Sequence, residues 1–339
     1  MKIAIGIPCL NEKPYIEECI HAIYANQFTD DIELSVAVID GMSDDGTREV
    51  VARLMLQYPT LKLLNNTTRF TPYAFNIGIT AQEADYYQIV GARHILSENY
   101  LQTALTILQN DTSIWCVGGR TINQYVNHTG EVIASAMSTS FGMGLGNFRT
   151  LSKSGFTDTV TSPMYPAWVF QKIGYFDENL VRNQDDDFNF RVTKAGGKIY
   201  YEHNISLKYY VRGDYGKLYR QFFQYGYWKV YVNKKHKTVT TLRQLVPPIF
   251  VVYLFLFLWT AFFGVYVGLL GVFPLLVYLF LGLYVANNLI KENPKLDLWD
   301  VFKTFPILHV SYGLGYLKGM LHFLLLNKQP SSKEKKTSR

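Results

Sequence analysis

The sequence predicts an α/β protein with a parallel sheet, followed by helices that cross a membrane. In the first part of the chain, short apolar strands alternate with stretches of helical spacing, which is typical of a parallel sheet with helices on both faces. A polar loop follows each of the first two strands. Farther along, no charged residue occurs between Gln244 and Ile290, and that run is long enough for two spans of about 20 residues each.

The first four elements follow the order strand, helix, strand, helix. Their predicted bounds are Lys2–Pro8, Tyr15–Ala25, Leu34–Ile39 and Arg48–Gln57. In sheets of this type, ligands bind beyond the carboxyl ends of the strands. Asn11-Glu12 and the loop D-G-M-S-D-D-G-T at 40–47 both lie at such ends. The sequence therefore predicts a binding site formed by these two loops.

The later elements are shorter. Strands are predicted at Leu61–Leu64, Tyr86–Val90, Trp115–Gly119 and Lys198–Glu202, and helices at Asn76–Ala84, Tyr100–Leu108 and Asp187–Ala195. The stretch Thr121–Tyr165 is rich in Gly, Ser and Thr, which predicts an irregular loop. Such a loop either lines a site or only links two elements.

Charge is distributed unevenly along the 339 residues, whose formal net charge is +6. Basic residues cluster before the apolar run, from Lys229 to Arg243, and again from Lys333 to Arg339. Basic residues beside spans favour the cytoplasmic side and attract anionic lipid headgroups. No nucleic-acid-binding motif occurs, so we expect a membrane and not a nucleic acid as the partner of these clusters.

Cysteine usage and the N-terminus indicate a reducing compartment. Cys9, Cys19 and Cys116 have no C-x-x-C spacing and predict neither a zinc site nor a disulfide framework. The first residues do not form a signal-peptide pattern. We therefore expect residues 1–240 to form a domain that stays in the cytoplasm.

The C-terminal part divides into three predicted segments. Residues 245–290 predict a transmembrane helical hairpin with a turn marked by Gly and Pro. Residues 299–326 form a third hydrophobic segment, which we expect in the membrane interface because the basic tail 327–339 then stays inside. The aromatic and basic helix predicted at Tyr219–Tyr231 is also suited to a membrane interface.

An acidic run, Q-D-D-D-F-N-F-R at 184–191, is the most unusual charged stretch. Adjacent carboxylates repel one another and raise at least one pKa unless a cation joins them. A solvated turn tolerates such a run, so a charged surface loop is the simpler interpretation. A carboxylate that does chemistry is the alternative.

Several stretches, taken together and in order, resemble family 2 glycosyltransferases, and most of all the membrane-tethered bacterial enzymes of exopolysaccharide synthesis, the succinoglycan type. The residues that carry the resemblance are I-P-C-L-N-E at 7–12, V-I-D-G-M-S-D-D-G-T at 38–47, R-F-T-P-Y-A-F-N-I-G-I at 69–79, G-Y-F-D-E at 174–178, Q-D-D-D-F-N-F-R at 184–191 and Q-Y-G-Y-W-K at 224–229. The likeness covers about 230 residues and the membrane tail, and it implies a GT-A fold, a Rossmann-like sheet that binds nucleotide-diphospho-sugars.

The resemblance implies a donor-binding set at the carboxyl ends of the strands. Nucleotide base and ribose contacts fall on Pro8, Asn11, Glu12 and Asp40, and a contact near the diphosphate falls on Arg69. An ionised Asp accepts hydrogen bonds from a base N–H or a ribose hydroxyl, and a guanidinium suits phosphate. Asp44 is expected to cap the turn that Gly46 permits.

The resemblance also assigns an acceptor side. Asp185 matches the catalytic base of the family's Glu-Asp motif, with Gln184 in place of the glutamate. The base takes the acceptor proton as the oxygen attacks the anomeric carbon. Asp187 or Asp186 either orients the acceptor or holds Arg191. Gln221 and Trp228 are acceptor-side candidates, and anchoring in the membrane interface is an equally good interpretation of them.

One departure from the family concerns the metal. The family has Asp-x-Asp after the fourth strand, where it binds Mg²⁺ or Mn²⁺, but Gly91-Ala92-Arg93-His94 stands here. Three interpretations remain open: Arg93 supplies the positive charge, Asp185 or Asp187 recruits the metal, or activity has been lost.

The resulting prediction is an inverting, membrane-anchored glycosyltransferase that uses a nucleotide sugar, UDP-linked, and a lipid-linked or polysaccharide acceptor at the cytoplasmic face. Other polysaccharide-synthesis proteins are possible partners. The alternative is a catalytically inactive scaffold subunit of a polysaccharide assembly complex. A transporter is disfavoured, because the apolar run has no charged residue to form an ion path.

Overall fold

The computed structural model describes residues 1–29, 31–144, 151–211, 213–260 and 265–330. The chain forms two compact units. The sheet unit comprises Met1–Asn123 and Leu151–Tyr210, and the helical unit comprises Gln124–Thr150 and Val211–Arg339. The predicted functional boundaries at 240, 290 and 326 are a separate division, which stays a prediction.

The first half of the sheet is parallel, as predicted. Strands β1 (Lys2–Cys9), β2 (Glu33–Asp40), β3 (Leu61–Asn65) and β4 (Tyr86–Ile89) lie in the order β3-β2-β1-β4 and are connected by helices α1 (Lys13–Tyr24), α2 (Thr47–Gln57) and α3 (Thr71–Thr80). Cys9, Asp40 and Asn65 are register partners at the carboxyl ends of neighbouring strands. Their loops therefore emerge side by side.

The second half of the sheet is antiparallel. It contains β5 (His94–Leu96), β6 (Ile114–Gln124), β7 (Gly155–Thr157), β8 (Thr161–Pro166) and β9 (Lys198–Tyr210), with helices α4 (Tyr100–Asn110), α7 (Ala167–Ile173) and α8 (Gln184–Lys194). The order continues β4-β8-β6-β9-β5, and β7 pairs with β9. Because β8 runs antiparallel to β4, the start of β8 lies at the edge where β4 ends.

Branched apolar residues build the core of the sheet unit. Ile3, Ile5 and Ile7 of β1 and Ile16 and Ile20 of α1 are buried in one cluster. Each fully buried side chain of this kind stabilises the fold by about 1.5–3 kcal/mol.

On one face of the sheet, α3 lies very close to β1. A Cβ on Gly78 would lie 3.0 Å from Ile39 Cδ1 and 3.4 Å from the Cα of Gly6, so any other residue there would have to displace the Ile39 side chain.

The helical unit contains α5 (His128–Met137), α6 (Ser140–Met143), α9 (Tyr215–His236), α10 (Val246–Thr260), α11 (Val265–Glu292) and α12 (Leu298–Gly319), and a π-helical turn follows at Met320–Leu325. Helices α9 and α12 pack backbone to backbone. A Cβ on Gly226 of α9 would clash with the carbonyl of Tyr312, and one on Gly315 of α12 would clash with that of Phe223.

Two segments of the described chain, Leu242–Trp259 and Gly271–Glu292, are long and apolar enough to cross a membrane. Many of their large apolar side chains, such as Ile249, Phe255 and Phe280, are exposed, unlike those of a core helix in a soluble protein. The predicted position of the turn between the spans, at about 267–271, is wrong, because helix α11 already begins at Val265. Residues 261–264 and most of the basic tail, at 331–339, lie outside the described residues.

The prediction of an irregular loop at Thr121–Tyr165 is wrong. This stretch contains the end of β6, then α5, α6, β7 and most of β8. Helix α5 begins where the Asn127 side chain accepts a hydrogen bond from the Gly130 amide at 2.8 Å. Its apolar residues Val132, Ile133 and Ala136 are buried, so the Gly, Ser and Thr content misled the interpretation.

Two helices begin earlier than predicted. Helix α3 starts at Thr71 and not at Asn76, because Pro72 lies in the first turn, where its fixed φ and missing N–H are tolerated. Helix α8 starts at Gln184, so all three aspartates of the acidic run lie in its first turn. Negative charges are favourable there because the helix dipole is positive at its N-terminus.

Candidate active site

The loop after β2 is built on a buried ion pair. The carboxylate of Asp40 is fully buried, and Arg48 of α2 donates to it at 2.7 Å. The same carboxylate accepts hydrogen bonds from the amide and hydroxyl of Ser43. These bonds fold the loop back onto the end of β2. The predicted contact of Asp40 with a nucleotide stays a prediction.

Asn11 joins the first loop to the second. Its amide donates to Ser43 Oγ at 2.8 Å, and its side chain exchanges two hydrogen bonds with Asp44, at 2.9 and 3.1 Å. Asn11 has a left-handed backbone, with φ of 55°, which asparagine adopts more readily than most residues. The two predicted donor loops therefore form one connected edge.

Asp45, and not Asp44 as predicted, holds the turn that leads into α2. Its carboxylate accepts hydrogen bonds from the amide and hydroxyl of Thr47 and from the amide of Lys13. Burial tends to raise the pKa of Asp45, but the bonds from Thr47 and Lys13 outweigh it and place that pKa below its usual value. The left-handed Gly46, with φ of 93°, allows the chain to enter α2.

Glu12 and Arg93 form an ion pair between the first loop and the loop after β4. Arg93 Nε donates to Glu12 Oε2 at 2.6 Å, and the guanidinium carbon lies 4.8 Å from the centre of the Tyr15 ring. Burial tends to lower the pKa of Arg93, but the charge and hydrogen bond of Glu12 raise it overall. Arg93 therefore stays charged, and Glu12, predicted to contact the nucleotide, contacts Arg93.

The imidazole of His94 closes the loop after β4. Its Nδ1 accepts a hydrogen bond from the Gly91 amide at 3.2 Å and lies 2.7 Å from Ser162 Oγ at the start of β8. The His94 amide in turn donates to the Gly91 carbonyl at 2.8 Å. A Cβ on Gly91 would lie 2.9 Å from the ring, so only glycine fits beside this imidazole.

These residues do not fit a divalent cation. Mg²⁺ and Mn²⁺ prefer carboxylate and other oxygen ligands, whereas the loop after β4 presents a guanidinium. Among the residues that the structure describes, no three His, Cys, Asp or Glu side chains are grouped to hold a metal. The carboxylates of Asp40, Asp45 and Glu12 are already bonded to cations, amides or hydroxyls.

The other donor-side candidates are less constrained. Arg69 is exposed with φ of 63°, and its side chain donates a long hydrogen bond of 3.4 Å to the Met42 carbonyl. Pro8 lies near the end of β1, in register with Ile39. Both are at the same edge of the sheet as the loops described above, and their nucleotide contacts stay predictions.

The acidic run has two kinds of carboxylate. Asp187 is fully buried and accepts from Arg191 Nε at 3.1 Å, while the Nη atoms of Arg191 donate to the Ile173 and Tyr175 carbonyls. Asp187 thus holds Arg191, one of the two interpretations left open. Asp185, in contrast, is exposed on the first turn of α8.

Helix α8 is fixed to the start of β8. Asn189 donates to Thr159 Oγ1 at 3.0 Å, just before β8 begins, and its Oδ1 accepts from the Tyr165 hydroxyl at 3.4 Å. Burial contributes most to raising the pKa of Tyr165, Cys116 contributes next, and the charge of Asp185 adds to the effect. The side-chain oxygen of Gln184 is buried and has no hydrogen-bond partner in the described ranges.

The two remaining acceptor-side candidates lie on α9, in the helical unit. Gln221 donates to the Tyr225 hydroxyl at 2.7 Å, one turn along the helix. Trp228 is fully buried and packs against Tyr227, Tyr231 and Phe323. The structure gives Trp228 a packing role, and contact of either residue with an acceptor stays a prediction.

Sequence reasoning missed four residues that shape the edge: Ser43, Arg48, Tyr15 and Ser162. For Arg48 a signal existed, because the end of β2 and the first turn of α2 must come close across a short loop. Tyr15 and Ser162 gave no such signal. Their partners, Arg93 and His94, follow β4, and the sequence does not specify which strands lie beside β4.

Comparison with known proteins decides the family. The sequence pattern described as "Glycosyl transferase family 2" matches residues 4–174, half of the chain. The chain belongs to glycosyl transferase family 2. It is a glycosyltransferase, and its mixed sheet is the GT-A fold that the resemblance implied.

Two curated relatives and one solved structure illustrate the likeness. The chain is 28% identical over 231 residues to a dolichyl N-acetyl-α-D-glucosaminyl phosphate 3-β-D-2,3-diacetamido-2,3-dideoxy-β-D-glucuronosyltransferase of Methanococcus voltae, covering 66% of this chain and 71% of that protein. It is 27% identical over 246 residues to the succinoglycan biosynthesis protein ExoA of Rhizobium meliloti, covering 72% and 73%. A mannosyltransferase from Pyrobaculum calidifontis, solved with GDP-Man and Mn²⁺, superposes with a TM-score of 0.62 at 17% identity over 94% of this chain and 86% of that one.

Proposed function

We propose that this enzyme transfers a sugar, with inversion, from a UDP-sugar to a lipid-linked or polysaccharide acceptor at the cytoplasmic face of a membrane. The observation that carries the proposal is the exposed carboxylate of Asp185 on the first turn of α8, within a family 2 glycosyltransferase whose donor loops are fully formed. Asp185 is the residue to which the resemblance of the acidic run assigns the base.

The reaction needs one base and one departing group. The acceptor oxygen attacks the anomeric carbon, the bond from that carbon to the diphosphate breaks, and the acceptor proton passes to Asp185. A single displacement of this kind inverts the anomeric centre. The connected loops at Asn11, Asp40 and Asp44 support the donor side, because a rigid edge holds the nucleotide with little loss of entropy.

A lipid-linked acceptor is supported by the relatives. The Methanococcus protein is named for a dolichyl phosphate-linked sugar acceptor, and the Rhizobium protein for succinoglycan synthesis. The exposed apolar faces of α10 and α11 are suited to lipid, and basic residues from Lys229 to Arg243 favour the cytoplasmic side for the chain that precedes them. The enzyme would then meet its acceptor where the lipid headgroup meets water.

The test uses the full chain purified in detergent, with lipid extract from the source cells as acceptor and a panel of nucleotide sugars. Release of nucleoside diphosphate measures turnover, and NMR of the product reports the anomer. We expect Asp185→Asn to lower turnover by about 10²–10⁴-fold and to leave UDP binding unchanged. Asp31→Asn, which alters an exposed carboxylate in the turn before β2, is the matched control.

Wild-type turnover by Asp185→Asn with donor bound would refute the assignment of the base. No turnover with any donor, together with no nucleotide binding, would favour the alternative of an inactive scaffold subunit. The membrane orientation is tested by fusing a phosphatase or a fluorescent protein after residue 339. If 299–326 spans the membrane, the phosphatase is active and the fluorescent protein is dark. If the segment lies in the interface, the two signals are reversed.

A further inference from the structure

We propose that Arg93 holds the donor's diphosphate in place of a divalent cation, and that Glu12 and Tyr15 are the positioning residues that aim its guanidinium. This inference rests on the proposed function, because it concerns the same donor site. The family has two carboxylates in the loop after the fourth strand, whereas this chain has the guanidinium of Arg93 there.

Arg93 is held from one side by α1. Glu12 accepts from Nε at 2.6 Å, and the Tyr15 ring lies 4.8 Å from the guanidinium carbon. Tyr15 is itself packed against Tyr210 of β9, with ring centroids 5.0 Å apart. Glu12 is fixed in turn, because its amide donates to Thr47 Oγ1 at 2.9 Å. A cation supported in this way loses little freedom when a ligand binds.

The backbone that carries Arg93 is held from the other side. The Gly91 amide binds His94, His94 lies within hydrogen-bond distance of Ser162, and Cys19 donates to the Gly91 carbonyl at 3.6 Å. The loop is therefore attached to β8 and to α1 at once. Groups that are fixed before the reaction stabilise developing charge more effectively than groups that must first reorganise.

Among the residues that the structure describes, the ion pair with Glu12 is the one hydrogen bond of the Arg93 guanidinium. Glu12 uses Nε, whereas a guanidinium has four more N–H donors on its two Nη atoms, in a planar fork that matches phosphate oxygens. The Arg93 side chain is 30% exposed, so it is reachable from solvent. Arg69 is the rival cation at this edge, but within the described part of the chain its exposed side chain is held only by the long hydrogen bond to the Met42 carbonyl.

The first experiment measures binding of UDP and of GDP to the full chain by calorimetry, in EDTA and in MnCl₂. We expect either UDP or GDP to bind, and we expect its affinity to be the same in EDTA and in MnCl₂. Arg93→Ala should weaken that binding by at least about tenfold, since a hydrogen bond to a charged group contributes this much or more. MnCl₂ should not restore it.

Arg53→Ala is the matched control. Arg53 also pairs with a glutamate of α1, donating to Glu17 at 2.6 Å, but its side chain is 61% exposed on α2. Removing it deletes an ion pair of the same length and should leave nucleotide affinity unchanged. An equal loss in both variants would mean that Arg93→Ala acts through general stability, which would overturn the inference.

Conservative variants test the positioning roles. Glu12→Gln keeps an acceptor for Nε and should retain nucleotide affinity within a few-fold. Glu12→Leu removes that acceptor and should weaken nucleotide binding nearly as much as Arg93→Ala does. Tyr15→Phe keeps a ring face for the cation and Tyr15→Leu does not, so only the second should weaken binding. If all four behaved alike, Glu12 and Tyr15 would not position Arg93.

The outcomes separate this inference from the proposed function. Binding that requires MnCl₂, or binding unchanged in Arg93→Ala, would overturn the inference and leave the transferase intact. Failure of every nucleotide and nucleotide sugar to bind or turn over, with or without metal, would overturn the proposed function and the inference with it.

Discussion

The loop after β2 and the first turn of α8 are both rich in aspartate, but they use it differently. In the loop, Asp40 and Asp45 are consumed by bonds to Arg48, Ser43, Thr47 and the Lys13 amide. In α8, Asp187 is buried and paired, whereas Asp185 is exposed two residues earlier. Aspartates that look equivalent in sequence thus differ in burial and in bonding: Asp40, Asp45 and Asp187 hold local structure, and Asp185 is the candidate base.

Asp187→Ala should have the largest effect on stability. It leaves the guanidinium of Arg191, mostly buried, without its carboxylate, and breaking such a pair costs about 3–5 kcal/mol. Denaturant unfolding of the full chain in detergent, followed by tryptophan fluorescence, measures the change. A loss below about 1 kcal/mol would show that the carbonyls of Ile173 and Tyr175 satisfy Arg191 alone, and the comparison would fail for α8.

Asp40→Ala should come second, at about 2–3 kcal/mol. The Ser43 amide loses its acceptor, but Arg48 is about one-third exposed and can be rehydrated. The same unfolding measurement applies, with Asp44→Ala as the control on the exposed side of the loop. Equal losses in the two variants would contradict the view that burial makes Asp40 the brace.

Asp45 should give a smaller, pH-dependent effect, below about 1 kcal/mol because the group is largely solvated. Its folded-state pKa is lowered by Thr47 and Lys13 against the effect of burial, so its contribution is present above the unfolded value of about 3.9. It is lost as the pH falls through the folded-state pKa. Unfolding of Asp45→Asn and wild type from pH 7 to pH 3 should show a difference that shrinks below about pH 4. A constant difference would contradict the titration.

Asp185→Ala should have the smallest effect on stability, within about 0.5 kcal/mol. It removes repulsion within the acidic run but also a favourable interaction with the helix N-terminus. Asp185→Ala should therefore lose turnover and keep stability, whereas Asp187→Ala should lose stability. Destabilisation as large as that of Asp187→Ala would erase the distinction.

The order of strands and helices in the parallel half could be predicted from apolar runs and glycine-marked turns. The apolar residues that identify β1 to β4 in the sequence are the same residues that are buried in the core. The Glu12–Arg93 pair could not be predicted. The two residues are 81 positions apart along the chain, and they meet because β1 lies beside β4 in the sheet. Helix α5 was missed for a local reason. Its glycine, serine and threonine are weak helix formers, and packing of its buried apolar residues stabilises it.

The segment that was mistaken for a loop affects how the protein is made. Val132 and Ala136 of α5 are buried with Ala286, Val301 and Phe305 of α11 and α12, and Glu131 accepts from Asn293 at 2.8 Å. A ribosome synthesises α5 more than 140 residues before those partners. Until α11 and α12 emerge, α5 is an apolar surface without its cover, so we expect a truncated chain ending near residue 240 to aggregate.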